Sequence, residues 1–139
     1  MDDIREKGLQ LFAEIMGPER AEQFRLGLEQ GGISGAMTGF AADFAFGSIW
    51  ARDGLERAKR SLVVIGVLIA QRQTAELKNH FRIGLANGLA PREIEEAVIQ
   101  SLPYVGFPAA AGATSALIEV FREQGLDTTS LTSHERGLL

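Results

Sequence analysis

The apolar run SLVVIGVLIA at residues 61–70 and the run ELKNHFR at residues 76–82 decide the fold that we predict for this chain. The first run is the most apolar in the sequence and is too short to span a bilayer. A helix that is apolar on all sides is buried, either inside its own domain or under a partner subunit. In the second run, Glu76 and His80 are four residues apart, so a helix stacks the carboxylate and the imidazole on one face. The two runs together predict a small, dry pocket that contains a titratable group.

Apolar residues recur at intervals of three and four over residues 2–15, which is the spacing of an amphipathic helix. Gly17-Pro18 and Asn87-Gly88 mark helix ends, whereas Gly8 interrupts the apolar stripe of the first helix and weakens it. No run alternates apolar and polar residues over a useful length, so we expect no β-strand. The chain is therefore predicted to be all-α, with helices near residues 2–15, 18–28, 55–71, 74–87, 91–102 and 109–124.

Local features between these helices carry further predictions. The glycine-rich run GGISG at residues 31–35 predicts a loop. Phe40 and Phe44 share one helical face, which favours packing in the core. Thr74 is expected to cap the helix that follows it. Pro103 has no backbone N–H, so we expect a break or kink just before it.

Composition limits the classes of function. The 139 residues suit one domain, predicted at residues 1–126, followed by a loosely ordered polar tail at residues 127–139. The net charge of −4, without a basic block, argues against binding to nucleic acid. The absence of cysteine excludes disulfides, thiol catalysis and thiolate metal sites. The charged N-terminus does not resemble a signal peptide, so we expect a cytoplasmic protein without a membrane partner.

A group of residues between Gly47 and Ala110 has the order and spacing of a known family. It comprises Gly47-Ser-Ile-Trp50, Arg52, Gly54-Leu55, Arg60-Ser-Leu62, Glu76-Leu-Lys78, His80, Arg82, Asn87-Gly88, Glu93-Ile94, Gln100, Tyr104, Gly106 and Pro108-Ala-Ala110. This pattern resembles the carboxymuconolactone decarboxylase family, in the superfamily of alkyl hydroperoxidase D-like proteins. The redox branch of that superfamily is similar but carries a cysteine pair, where this chain has Gln73 and Glu76.

The resemblance implies an alkyl hydroperoxidase D-like helical bundle that assembles into a homo-oligomer. A hexamer is expected, with a trimer or dimer as alternatives. The implied activity is that of a γ-carboxymuconolactone decarboxylase, which converts a small carboxylated lactone to an enol-lactone and CO2 in aromatic-compound catabolism of the protocatechuate and β-ketoadipate type. The reaction needs no metal or organic cofactor, because the substrate accepts its own electrons. Asp43 and Phe44 replace a basic and aromatic cluster of the family, so a different substrate is an open alternative.

The same resemblance assigns roles to residues. His80 is the expected proton carrier, since its ordinary pKa of about 6.5 lies near neutrality. Glu76 would orient the imidazole and favour its charged form, although a surface pair of no catalytic importance is the alternative. No third ligand accompanies this pair, because His134 lies far along the chain, and no metal site is expected. The residues expected to bind substrate are Arg52, Arg60, Arg82, Tyr104 and Trp50.

Other roles for these residues stay open. Arg60 could form an ion pair at a subunit contact. The side chain of Tyr104 could be half-buried and serve only in packing, and Trp50 could line the wall of a pocket or lie at an interface. Two further functions are alternatives to decarboxylation: another proton transfer on a cyclic substrate, such as isomerisation or dehydration, and non-catalytic binding by an oligomer.

Overall fold

The computed structural model describes residues 2–127 and 129–138, and this part of the chain contains helices and no β-strand. The all-α class is therefore confirmed. A π-helical segment at Ala41–Trp50 continues the third helix directly. The α-helices are α1 (Asp2–Met16), α2 (Pro18–Glu29), α3 (Gly32–Phe40), α4 (Arg57–Ala70), α5 (Thr74–Ala86), α6 (Pro91–Val105) and α7 (Phe107–Glu123).

The chain forms two compact units, one up to Arg57 and one from Ala58 onward. The first unit holds α1, α2, α3 and the π-helical segment. The second holds nearly all of α4, followed by α5, α6, α7 and the C-terminal segment. A single domain over residues 1–126 stays a prediction.

In the first unit, α1 packs backbone to backbone against the π-helical segment. A Cβ atom on Gly8 would lie 2.0 Å from the carbonyl oxygen of Ala42, and one on Gly47 would lie 2.3 Å from the carbonyl oxygen of Ile4. Only glycine permits this approach, because any side chain would force the helices apart. Gly8 is therefore a point of contact rather than a gap in the apolar stripe of α1.

Three aromatic rings also pack together in the first unit, but they are not the rings that the sequence suggested. Phe12 stacks on Phe24 with centroids 4.1 Å apart, and Phe46 meets Phe12 edge to face at 5.3 Å. Phe40 and Phe44 are each 66% exposed. The prediction that these two residues pack in the core is wrong for this chain, because Phe46 occupies the face directed at α1 and α2.

The second unit is built around buried aliphatic residues and Phe81. Ile65 and Phe81 are fully buried, and Ile69 is 1% exposed in the same cluster. Val63 and Val67 on the same helix are 59% and 48% exposed. Helix α4 is thus buried on one face only within this chain, and its other apolar face is available to a partner.

Two predictions about helix starts are wrong. The run at residues 31–35 is not a loop, because α3 begins at Gly32. Gly31 and Gly32 have φ angles of 72° and 62°, so two residues suffice for the turn that precedes α3. The N-cap of α5 is Gln73, and Thr74 is the first helical residue rather than the cap.

The helix ends show one prediction confirmed and one wrong. Asn87 caps α5 and Gly88 follows with a φ of 99°, as predicted. Helix α6 does not break before Pro103 but continues to Val105, so the predicted break is wrong, whereas a kink before Pro103 stays a prediction. The chain changes direction instead at Gly106, where φ is 86° and the amide donates to the carbonyl of Leu102 at 3.0 Å. A proline this close to the helix end removes few hydrogen bonds, so the last turn survives.

The C-terminal segment is bound to α7 rather than loose. The Asp127 carboxylate accepts hydrogen bonds from the backbone and hydroxyl of Ser130, at 3.3 Å and 2.6 Å. Arg122 of α7 donates to Glu135 at 2.9 Å and also to the Ser130 carbonyl oxygen. Thr132 is 7% exposed and exchanges hydrogen bonds with Glu135 across a turn. Hydrogen bonds of a polar sequence can therefore order a segment that has little apolar surface.

Candidate active site

Helix α5 positions the Glu76–His80 pair against the core of the second unit. The helix starts where the Leu77 amide donates to the Gln73 carbonyl at 2.8 Å. Leu77 and Phe81 are 2% and 0% exposed and hold one face of α5 in the core. His80 lies next to that buried face, whereas Glu76 lies one turn earlier and further toward solvent.

The pair has the predicted stacking but only a loose contact. The distance from His80 Nε2 to Glu76 Oε2 is 3.9 Å, which is beyond a hydrogen bond. The side chains are 16% and 64% exposed, respectively. His80 Nδ1 is buried and has no hydrogen-bond partner among the described residues. A buried nitrogen without a partner is unfavourable, so this atom is a candidate for contact with a ligand.

Burial controls the protonation of His80. Desolvation lowers the pKa of His80 below 6.5, and the opposing effect of the Glu76 carboxylate, which raises the pKa, is the smaller of the two. Glu76 thus favours the charged imidazole, as the sequence predicted, but burial has the larger effect on the pKa of His80. At neutral pH the imidazole is mainly neutral, with one nitrogen that donates and one that accepts a hydrogen bond.

The predicted carboxylate clamp at Arg82 is already engaged within the chain. Its Nε and Nη2 atoms donate to the two oxygens of Glu123 on α7, at 2.7 Å and 3.0 Å. This bidentate bond raises the pKa of Arg82. Lys78 forms a second ion pair with Glu119, one turn away on both helices. The two pairs brace α5 against α7 and hold the helix that carries His80.

The other predicted substrate residues are divided between the two units. Trp50 and the exposed Arg52 lie in the first unit, and Arg60 is half-buried near the start of α4 in the second. Tyr104 is 83% exposed, so half-buried packing within this chain is wrong for it. The roles of these residues in substrate binding stay predictions.

A partly buried hydrogen bond that the sequence did not suggest fixes the end of α5. Asn87 Nδ2 donates to the Ser61 hydroxyl oxygen at 2.9 Å, and Ser61 is 0% exposed. The bond joins the C-terminal end of α5 to α4. This end of the helix follows His80, whereas Glu76 precedes it. A serine inside the most apolar run of the chain was the signal that could have revealed it, because a buried hydroxyl needs a partner.

Asp43, where the sequence departs from the family pattern, is also paired. Arg5 Nε and Nη2 donate to its two carboxylate oxygens at 2.8 Å and 2.7 Å. Hydrogen bonding to Arg5 lowers the pKa of Asp43. This carboxylate therefore has a structural partner in the first unit, whereas Phe44 beside it is exposed.

The described residues contain no group of three or more histidine, aspartate or glutamate side chains that could hold a metal ion. The absence of a metal or organic cofactor stays a prediction. In residues 2–127 and 129–138, no helix is both long and apolar enough to cross a membrane.

The fold and the site define a small all-α protein with a largely buried imidazole beside a carboxylate. A model of the carboxymuconolactone decarboxylase family matches residues 36–119. Over 126 residues the chain is 33% identical to a 4-carboxymuconolactone decarboxylase from Acinetobacter baylyi, covering 90% of this chain and 92% of the relative. The chain belongs to the carboxymuconolactone decarboxylase family, which confirms the resemblance seen in the sequence.

A second relative matches a shorter region. The chain is 40% identical over 67 residues to nitrosuccinic acid decarboxylase npaB from Metarhizium robertsii. The match covers 48% of this chain and 47% of the relative. The two relatives are therefore decarboxylases named for two chemically different acids.

Proposed function

We propose that this chain is a cofactor-independent carboxy-lyase that acts on a small carboxylated unsaturated lactone and forms an enol-lactone and CO2. We place it in the cytoplasmic catabolism of aromatic compounds of the protocatechuate and β-ketoadipate type. The observation that carries the proposal is the largely buried His80 imidazole, whose Nδ1 lacks a partner among the described residues. Similarity over 90% of the chain to a 4-carboxymuconolactone decarboxylase supports the reaction.

The proposed reaction requires only a few contributions from the protein. Loss of CO2 leaves an electron pair that flows through the ring alkene to the lactone carbonyl, so the substrate is its own electron acceptor. The protein must hold the leaving carboxylate where it is poorly solvated, stabilise the enolate oxygen and protonate a ring carbon. One imidazole beside a buried helical core is suited to the proton transfer.

His80 is the proposed proton carrier. Burial keeps the pKa of His80 below its ordinary value, so the free protein holds a neutral imidazole at neutral pH. A carboxylated substrate brings negative charge to the imidazole, and that charge raises the pKa. His80 then takes up a proton as substrate binds and transfers it to the ring carbon after CO2 departs. Glu76 adds to the same electrostatic effect and is a positioning residue.

The proposed substrate-binding residues follow from the family pattern. Arg60 and Arg82 lie in the same unit as His80. A substrate carboxylate at Arg82 would share or displace the bidentate bond to Glu123. We retain Arg52, Tyr104 and Trp50 as further members of the binding site.

A nitro acid is the second candidate substrate, because one relative is a nitrosuccinic acid decarboxylase. A nitro group on the carbon that loses CO2 accepts the electron pair, as the unsaturated lactone does. The same imidazole would protonate the resulting nitronate. Assaying both classes of acid separates the two candidates.

We propose that the protein assembles into a homo-oligomer, with a hexamer expected. Ile33, Met37, Phe40 and Phe44 form an apolar stripe with exposures of 78%, 61%, 66% and 66%. Such a row of large exposed apolar side chains marks an interface more often than a free surface. A Phe40→Glu variant should sediment as a smaller species than the wild type. A wild-type chain that sediments as a stable monomer at micromolar concentration would contradict the proposal.

The decisive experiment measures CO2 release and lactone absorbance with purified wild type, His80→Ala and His134→Ala. We expect His80→Ala to lower kcat by roughly 10²–10⁴-fold, the usual range for a positioned acid or base. His134→Ala is the matched control, because His134 is exposed in the C-terminal segment and should leave kcat unchanged. Near-normal turnover by a folded His80→Ala variant would show that another residue supplies the proton, with Tyr104 tested next.

A second measurement separates a catalytic pair from a surface pair. Glu76→Gln should lower kcat less than His80→Ala does. Adding Glu76→Gln to His80→Ala should change little further, because Glu76 acts through the imidazole. Independent, additive losses would contradict the assignment of Glu76 as a positioning residue.

A further inference from the structure

A cavity in the second unit lies apart from the imidazole of His80. Its volume is about 210 Å³, and it lies between the C-terminal end of α4, the turn before α5 and the first half of α7. Leu68, Leu77 and Ala109 form part of an apolar wall. His80 and Glu76 do not line it.

Two polar side chains line this cavity, and both can donate hydrogen bonds. They are Arg72, which is the only charged residue among the described residues of the lining, and Thr74 at the start of α5. Neither side chain has a hydrogen-bond or ion-pair partner among residues 2–127 and 129–138. The cavity is open to solvent through these two exposed residues. Its polar part therefore suits an anion from solution, and no carboxylate that would repel an anion is found among the lining residues that the structure describes.

The backbone at Arg72 is unusual for an arginine. Its φ angle is 57°, and it is the only non-glycine residue with a positive φ in the described part of the chain. It follows α4 at the position where Gly88 follows α5 and Gly125 follows α7. At such a position glycine is favoured, because a side chain is strained. An arginine is thus held at an unfavourable backbone position, where it forms no ion pair with any charged group that the structure describes.

Gly112 keeps the cavity open. It lies inside α7, where glycine is less favourable than alanine. A Cβ atom built on Gly112 meets no atom within 4 Å, so packing does not require glycine there. The missing side chain leaves room beside Arg72 rather than contact between helices.

We propose that this cavity binds the carboxylate of a small organic acid. Arg72 forms the ion pair, since its planar guanidinium matches a carboxylate with two parallel hydrogen bonds. Thr74 donates a further hydrogen bond, and the apolar wall at Leu68, Leu77 and Ala109 covers the carbon skeleton. The site is independent of the proposed decarboxylase reaction at His80.

Benzoate is a suitable probe, because it combines a carboxylate with an apolar ring. Isothermal titration calorimetry should detect benzoate binding to the wild type in the absence of any substrate. Arg72→Gly should weaken binding by about tenfold or more, as expected for loss of a charge-assisted pair. Arg72→Lys should lie between the two, because lysine keeps the charge but lacks the planar fork. Arg72→Gly should melt at or above the wild-type temperature, since glycine relieves the positive φ, so weaker binding cannot be ascribed to unfolding.

A second pair of variants tests whether benzoate binding needs the empty volume of the cavity. Gly112→Leu should abolish benzoate binding by filling the cavity. Ala111→Leu makes the same kind of change at the next residue, which is exposed and does not line the cavity, and should leave binding intact. His80→Ala should also bind benzoate normally, which separates this site from the proposed reaction.

Three results would overturn the proposal. The first is wild-type protein that shows no benzoate binding at millimolar concentration. The second is Arg72→Gly that binds benzoate as tightly as the wild type. The third is a titration in which inorganic phosphate binds with the same dependence on Arg72 while benzoate does not, which would make the ligand an inorganic anion instead of an organic acid.

Discussion

Replacing Gly8 with alanine tests how closely α1 packs on the π-helical segment. The added Cβ would lie 2.0 Å from the carbonyl oxygen of Ala42 and 3.0 Å from the amide nitrogen of Gly47. Both neighbours are backbone atoms, so no side chain can rotate away. The two helices must separate by more than about 1 Å to restore ordinary van der Waals contact.

The expected loss of stability follows from two opposing effects. Overpacking a helix contact costs about 1–3 kcal/mol. Gly8→Ala should lie near the upper end of this range, because the atoms that the new Cβ meets belong to the backbone. The better helix propensity of alanine offsets about 1 kcal/mol of this loss. The free energy of unfolding should therefore fall by about 2 kcal/mol, with Tm lower by roughly 8 °C for a chain of this size.

Denaturant unfolding followed by far-UV circular dichroism measures the change. All variants must be compared at one protein concentration, because association alters apparent stability. Gly112→Ala is the control, since its Cβ would meet no atom within 4 Å and alanine should raise stability by about 0.5–1 kcal/mol. A Gly8→Ala variant as stable as the wild type would refute the close contact of α1 with the π-helical segment.

Further predictions concern the second unit. Glu76→Gln should lower the pKa of His80 further, because the Glu76 carboxylate raises it; an NMR titration that shows the same or a higher midpoint would contradict this. The pKa of His80 in the folded protein lies below the unfolded value of about 6.5. The free energy of unfolding should therefore fall as pH decreases from about 6.5 toward the folded pKa, and in His80→Asn it should fall less over the same pH range. A double-mutant cycle of Arg82→Met with Glu123→Gln should give a coupling of about 0.5–1 kcal/mol, because both side chains are partly exposed; a coupling of zero would mean that the pair does not brace α5. Glu135→Gln should speed amide hydrogen exchange in the C-terminal segment. In the wild type, the same loosening should appear as pH falls from 4.5 toward about 2, since hydrogen bonds from Arg122 lower the pKa of Glu135 to about 2. Exchange that is independent of both changes would show that Glu135 does not hold the segment.

The chain's local signals were sufficient for the helical class and for most helix ends. Asn87-Gly88 ends α5, and Pro91 opens α6, because capping depends on a few adjacent residues. Local signals failed where two of them competed. Pro103 predicted a break, but Gly106 three residues later makes the turn, and α6 continues up to it.

Sequence spacing also placed Glu76 and His80 on one face of α5, since helical periodicity is independent of the rest of the chain. It did not reveal the balance that controls the pKa of His80. The raising effect of Glu76 comes from a residue four positions away, whereas the larger effect comes from burial among side chains brought together by folding. Proximity in the chain is visible in a sequence, but desolvation is a property of the packed molecule.

By itself the sequence determined the all-α class, the family and the Glu76–His80 stacking, because these depend on local periodicity and on a pattern of residues in order. Only the tertiary structure decided which faces those helices bury, as with the exposed Phe40 and the close contact at Gly8. It also decided that Arg82 bonds to Glu123, forty-one residues away. Periodicity states which side chains share a face, but the partner of that face depends on contacts between residues far apart in the chain.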